Sequence, residues 1–318
     1  MLIALLLGAC TAAEPLPVEP SPAPSGAKRI ALTYDDAPRG DGPAYTGRER
    51  TERLLAELAR AEAEAAIFVT TRGMDTDEGR ARIASYAEAG HPIANHSDTH
   101  PWASRTDVDA YLADIDAAEA KLEGLPNRRP WFRFPFLDEG GYGEDTAAAR
   151  ARRDALRDAL AERGLRSGYV TVDTYDWHLD RLWKAAVEAR QPVDMDALEA
   201  VYVAMVVDAA EHYDAMATDV LGRRPAQVLL LHENDLAAEF TDEAVAALRE
   251  RGWRIVTPDE AFADPIAKTL PDTLFGGMGR IAALAHDAGR RGADVFDHWS
   301  ADEAGIEARV AEAGVFGE

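Results

Sequence analysis

From Lys28 onward, short runs with apolar centres alternate with longer segments whose apolar residues recur every three or four positions. The short runs are RIALTY (29–34), AAIFVT (65–70), HPIAN (91–95), PWFRFP (130–135), SGYVTV (167–172), AQVLLLH (226–232) and WRIV (253–256). They are too short for helices and show little polar alternation, which predicts strands covered on both faces. Between them, Leu54, Leu55, Leu58 and Ala59 share one face of a predicted helix over 48–63. Val108, Leu112, Ile115 and Leu122 do the same over 106–123. Helical pattern also covers 77–89, 145–163, 179–221 and 242–251. Such alternation predicts an α/β domain with a mostly parallel sheet. It does not separate an open sheet from a closed barrel.

The two ends depart from this pattern. Residues 265–318 contain GGMG (276–279) and small helical patterns without a clear strand, which predicts a C-terminal extension. Residues 11–27 hold five prolines and few large apolar side chains, the composition of an extended spacer rather than a core. Before it, MLIALLLGA (1–9) is apolar, and Leu7-Gly8-Ala9-Cys10 resembles the lipobox of bacterial lipoproteins. In that family the cysteine is lipidated. The resemblance implies lipidation at Cys10 and an exported, envelope-associated protein that touches the membrane through this anchor alone, facing the periplasm or the cell surface. An ordinary signal peptide or a chance apolar start are the alternatives, and no Lys or Arg precedes the run as a secretory n-region requires. The organisation expected is therefore a signal segment (1–10), a Pro-rich linker (11–27), a main domain (28–264) and the extension (265–318).

Composition narrows the partners. Asp and Glu number 57 against 34 Lys and Arg, for a formal charge of −23, which disfavours nucleic acid and anionic lipid surfaces. Cys10 is the single cysteine, so no internal disulfide can form. No other stretch reaches the ~20 apolar residues needed to span a bilayer.

Chemistry-bearing residues cluster where predicted strands end, the place where parallel α/β folds gather their sites. Asp35 and Asp36 are adjacent in TYDDAP (33–38). Two carboxylates so close repel unless a cation intervenes, although a solvated turn before proline reads almost as well. His96 and His100 stand four apart in HSDTH, a spacing that can present two imidazoles to one ion from a helical turn or a tight loop. Two neutral nitrogens and one carboxylate leave open positions, the catalytic rather than the structural arrangement. Arg133-Phe134-Pro135-Phe136, Asp173-Thr174-Tyr175-Asp176-Trp177 and Leu230-Leu231-His232 follow. Each taken singly has a bland reading, as a surface arginine, a loop carboxylate with a packing aromatic, or a packed histidine.

In order, the five clusters resemble the motifs of the polysaccharide deacetylase family, the NodB-like domain of carbohydrate esterase family 4: T-F-D-D-G-P, H-[ST]-x-x-H, R-x-P-[YF], D-x-x-D-W and L-x-H. Tyr34 replaces Phe, and Ala37 replaces Gly, a change that matters if that backbone needs a positive φ. The resemblance implies a distorted (β/α) barrel with fewer than eight regular units. It also implies one divalent ion on Asp36, His96 and His100, most often zinc, with cobalt, manganese or nickel as alternatives. Asp35 would be the general base, His232 the general acid, Arg133 the support of Asp35 and Asp176 the residue tuning His232. Trp177 and Leu230 would wall the acetyl methyl, and a backbone N–H near Phe136 would stabilise the oxyanion.

The activity implied is removal of N-acetyl, or alternatively O-acetyl, groups from a carbohydrate polymer. The chemistry is coherent on its own terms: water activation by an ion, charge stabilisation at a tetrahedral intermediate, and an acid for the leaving amine. A catalytically weak carbohydrate-binding protein of the envelope and an amidohydrolase of small molecules are the competing readings. The other histidines (His91, His178, His212, His286 and His298) are expected to be solvated or packed.

Overall fold

The computed structural model describes residues 26–141, 145–274, 277–292 and 296–317. The expected lipidation site at Cys10 and most of the Pro-rich linker lie outside the described residues.

The apolar runs form parallel strands: β1 (Arg29–Ala37), β2 (Ala65–Val69), β3 (Ile93–Asn95), β4 (Arg128–Phe132), β5 (Arg166–Ser167), β6 (Ala226–His232) and β7 (Arg254–Ile255). Their order is β5-β4-β3-β2-β1-β6, and β7 pairs with the first residues of β1. All pairings between these strands are parallel, as crossover connections through helices allow. Helices α1 (Gly47–Arg60), α2 (Asp77–Glu88), α3 (Val108–Leu122), α4 (Ala147–Glu162), α5 (Asp176–Glu188), α6 (Met195–Leu221), α7 (Ala237–Glu250) and α8 (Pro258–Phe262) surround the sheet. Local signals set their ends. Thr46 and Glu49 form a reciprocal capping box on α1, and Gly222, at φ 66°, closes α6 in the left-handed conformation.

Three elements differ from the periodicity. The helical pattern over 179–221 is two helices, because Pro192 has no N–H to give a helix interior and Arg190 takes φ 54°. The run 167–172 is not a continuous strand. Gly168 donates to the Phe132 carbonyl (2.7 Å), whereas Thr171 and Val172 donate to Val228 (both 3.0 Å) and Leu230 donates to Val172 (2.9 Å). This segment therefore divides its hydrogen bonds between β4 and β6, and the curled sheet becomes a distorted barrel. Arg133 lies beyond β4, whose last residue is Phe132, so the predicted strand 130–135 ends early at a short 3-10 turn, Pro135–Leu137.

The C-terminal extension is helical. Helix α9 (Gly279–Asp287) packs on α6, and α10 (Glu303–Ala313) packs on α5 and α6. The Tyr175 N–H donates to the Ser300 carbonyl at 2.8 Å. His178, fully buried, lies 3.2 Å from both Glu303 and Glu307, tying α10 to the start of α5. Among the described residues no helix is long and apolar enough to cross a membrane.

Candidate active site

Adjacent residues of a regular strand point to opposite faces, so Asp35 and Asp36 need a local device to act together. The β1–β2 register supplies it. Tyr34 pairs with Ile67 and Ala37 with Val69, so two residues of β1 stand against one of β2, a bulge formed by the carboxylate pair. Asp36 takes φ 70°, and the family's glycine position, Ala37, is not in the left-handed region. The substitution at Ala37 is thus accommodated, and the unusual backbone falls on an aspartate, which tolerates that region better than most residues.

The HSDTH segment is a loop, not a helical turn. Ser97 has φ 71° and His100 φ 59°. Polar caps hold it: Asn95 accepts from the Ser97 N–H (2.6 Å), Ser97 Oγ from the His100 N–H (3.0 Å), and Asp114 of α3 from the Asp98 N–H (2.7 Å). His96 donates from Nδ1 to the Arg133 carbonyl at 2.9 Å, because a carbonyl can only accept. That leaves its Nε2 lone pair free toward the aspartates.

Asp36, His96 and His100 each bring one ligand atom within 4.8 Å of the others. Asp36 Oδ1 is 3.2 Å from His100 Nε2 and 3.6 Å from His96 Nε2. A tetrahedral site with bonds near 2.0–2.1 Å has an edge of roughly 3.3 Å, so the donors fit a small divalent ion. Burial pushes the pKa of His100 down to about 4, and the neighbouring His96 adds to the effect, which keeps the imidazole neutral and able to donate its lone pair at neutral pH. Burial pushes Asp36 up, but His232, His100, His96 and Arg39 outweigh it and hold the carboxyl at about 2.

Asp35 is buried beside this group, with Oδ2 3.6 Å from His96 Nε2. Its other oxygen accepts from Arg133 Nη1 at 2.6 Å. Arg133 is buried too, donating also to Thr33 Oγ1 (2.8 Å) and the Gly168 carbonyl (2.7 Å), with its guanidinium 3.8 Å from the Phe68 ring centroid. A side chain at Gly168 has no room, since a Cβ there would stand 2.4 Å from the Phe68 ring.

On the neighbouring strand, Asp35 pairs in register with His232. Asp176, fully buried at the start of α5, accepts from His232 Nδ1 at 2.6 Å, from its backbone N–H at 2.9 Å and from Asn234 at 2.7 Å. Burial pushes the His232 pKa down, but Asp176, Asp36 and Asp35 raise it to about 9, so the imidazole carries a proton at neutral pH. Asp173 behaves oppositely to an ordinary carboxylate: burial, aided by Asp176 and Asp35, raises it to about 8 and keeps it protonated.

These residues floor a cleft of about 570 Å³, which Trp177, Leu230 and Phe136 also line. Phe136 is exposed and stacks on Trp102, with centroids 3.8 Å apart and planes 5° off parallel. All ten expected site residues of the main domain thus belong to one connected region. Sequence reasoning missed Trp102, Arg39, Leu137, Gly277 and Glu303 of the lining. Trp102 follows HSDTH by two positions, a signal within reach, whereas Gly277 and Glu303 arrive from the extension, where no local pattern marks them.

The geometry has a counterpart among known proteins. The family model described as polysaccharide deacetylase matches residues 23–156. Over that segment the chain is similar to the polysaccharide deacetylase family. The matched segment includes TYDDAP, HSDTH and Arg133–Phe136, while Asp173–Trp177 and Leu230–His232 lie beyond it. The chain is similar to the uncharacterized protein YlxY of Bacillus subtilis (strain 168), 23% identical over 215 residues, which is 67% of this chain and 53% of the relative. The chain thus spans about half the length of that curated relative. Among solved structures, the chitin deacetylase from the fungal pathogen Colletotrichum lindemuthianum superposes with a TM-score of 0.50 at 18% identity, over 76% of this chain and 90% of that one. The peptidoglycan deacetylase PdaC from Bacillus subtilis gives 0.45 at 20% identity, over 76% and 92%. The likeness to the chitin deacetylase shows the deacetylase fold.

Proposed function

We propose that this deacetylase domain is active: a metal-dependent hydrolase that removes acetyl groups, N-linked by preference, from a carbohydrate polymer. The observation that carries the proposal is the convergence of Asp36, His96 and His100 within 4.8 Å on the floor of an open cleft. These residues would hold one divalent ion, with zinc the first choice for a set of two nitrogens and one oxygen. When bound, the ion supplies Lewis-acid polarisation and lowers the pKa of water toward ~7.

The chain's own groups do the rest. Asp35, oriented by Arg133, takes the proton of the nucleophilic water. His232, held in one orientation by Asp176, returns a proton to the leaving nitrogen, which leaves poorly without it. In the turn after Arg133, the N–H groups of Leu137 and Asp138 bond within the turn, to Phe134 (3.0 Å) and Pro135 (3.1 Å). Among the described residues, that leaves the Phe136 N–H as the donor toward the oxyanion. Trp177 and Leu230 would wall the acetyl methyl. The stack of half-buried Trp102 on exposed Phe136 offers flat apolar faces, the surface on which pyranose rings pack.

The chain regions fit an envelope protein, with Cys10 lipidated, residues 11–27 as spacer, 28–264 as catalytic domain and 265–318 as extension. Acetate release across a panel of acetylated glycans and one small acetamide, with zinc, cobalt, manganese or nickel added, tests the activity. Release from a polymer is the expected result. No release from any glycan identifies a binding protein on the deacetylase fold, and release from the small amide alone identifies an amidohydrolase.

A further inference from the structure

Behind the catalytic cleft lies a second cavity that none of the roles above uses. Among the described residues it is lined by four arginines, Arg133, Arg153, Arg157 and Arg280, and by two carboxylates, Asp138 and Glu139. Both carboxylates are committed. Asp138 accepts from the backbone N–H groups of Ser104 (2.7 Å) and Gly140 (2.9 Å), and Glu139 accepts from Arg157 Nε (2.7 Å). Arg280 is buried, donates to the Ile266 and Ala267 carbonyls and to Ser167 Oγ, and has no carboxylate within ion-pair reach among the described residues. Arg133 is 1% exposed, and its Nη2 finds no hydrogen-bond partner among them. A buried guanidinium with an idle donor is costly unless something fills the space beside it.

The cavity has connections on both sides. It shares Leu137 and Gly277 with the catalytic cleft. It shares Phe134, Glu139, Arg157 and Ser167 with an outer groove of about 470 Å³. Its own volume is about 60 Å³. At roughly 10–15 Å³ per water on this measure, it has room for about four to six heavy atoms. That is the size of a small carboxylate and too small for a sugar.

We propose that this chamber binds a small carboxylate anion and leads acetate, the product of the reaction proposed above on whose reading its identity rests, from the cleft to the outer groove. Arg133 Nη2 and Arg280 supply the charge, and the Glu139–Arg157 pair stands between chamber and groove.

The test is a titration of 13C-labelled acetate into the full chain, followed by line broadening of the carboxyl carbon. His96→Ala, which removes a proposed metal ligand, separates acetate on the ion from acetate in the chamber. Expected is retained binding in His96→Ala and in Arg280→Lys, with Arg280→Gln weakened about ten-fold or more, the scale of a lost charged hydrogen bond. Benzoate, a carboxylate too large for the chamber, is expected not to compete. Arg157→Gln, at a part-exposed position, decides the matter if Arg280→Gln fails to fold; its expected effect is weaker binding. Wild-type affinity in folded Arg280→Gln, or in Arg157→Gln where Arg280→Gln does not fold, loss of all binding in His96→Ala, or equal competition by benzoate each overturns the proposal. Acetate release from glycans is measured separately, so a chain that binds acetate without releasing any fails as a deacetylase while the chamber stands.

Discussion

His96 donates its Nδ1 proton to the backbone carbonyl of Arg133 across 2.9 Å, and the Arg133 guanidinium holds Asp35 at 2.6 Å. One residue therefore sets the tautomer of an imidazole through its backbone and the orientation of a carboxylate through its side chain. The proposed metal ligand and the proposed base are coupled through Arg133, as outer partners often couple the inner groups of a site.

Replacing His96 by Ala removes one of three donors and should empty the ion site. Elemental analysis of the purified variant checks this, with metal content at background as the expected outcome; content equal to wild type rejects the ligand assignment.

Asp35→Asn keeps an oxygen for Arg133 to bond but loses the proton acceptor. Metal content should be unchanged while turnover falls at least ~100-fold, the scale of general-base loss. Steady-state acetate release from the best glycan provides the comparison, and a near-normal rate removes Asp35 from the mechanism.

Arg133→Met leaves the buried Asp35 without its cation, and breaking such a pair costs about 3–5 kcal/mol. Urea denaturation should show a loss of that order with an unchanged slope. A variant as stable as wild type contradicts the buried pair.

His91 is buried and accepts from the Ala65 N–H at 3.3 Å, and burial pushes its pKa from 6.5 to about 4. The folded state thus disfavours the charged imidazole. Its stabilising contribution is present above pH 6.5 and is lost as pH falls toward 4, by up to about 3 kcal/mol. Denaturation midpoints across that window should fall for wild type and fall less steeply for His91→Gln; parallel curves count against the assignment.

Cys10→Ala removes the proposed lipidation site. Fractionation of cells expressing the full chain should find wild type with membranes and the variant in the soluble fraction. Membrane retention of the variant contradicts the anchor.

Much of this arrangement is legible along the chain, because strands buried on both faces leave unbroken apolar runs. AQVLLLH coincides with β6 from Ala226 to His232, and the runs of β2 and β3 lie within about two residues of their strands. Motif order brought Asp36, His96 and His100 into one hypothesis although 60 residues separate the first pair. Less legible is the segment 167–172, whose sequence reads as a strand but whose hydrogen bonds divide between β4 and β6.

The local sequence determined which side chains carry chemistry and that they stand at strand ends, since hydrophobic periodicity and strand termini are properties of short stretches of chain. Only the tertiary structure decided that a bulge turns Asp35 and Asp36 toward one space, that the HSDTH loop is capped by Asp114 from α3, and that Glu303 of the extension reaches the cleft. It also decided that four arginines from three separate segments line one chamber. Each of these depends on which surfaces meet once the sheet curls, and packing between remote segments leaves no periodic trace in any one of them.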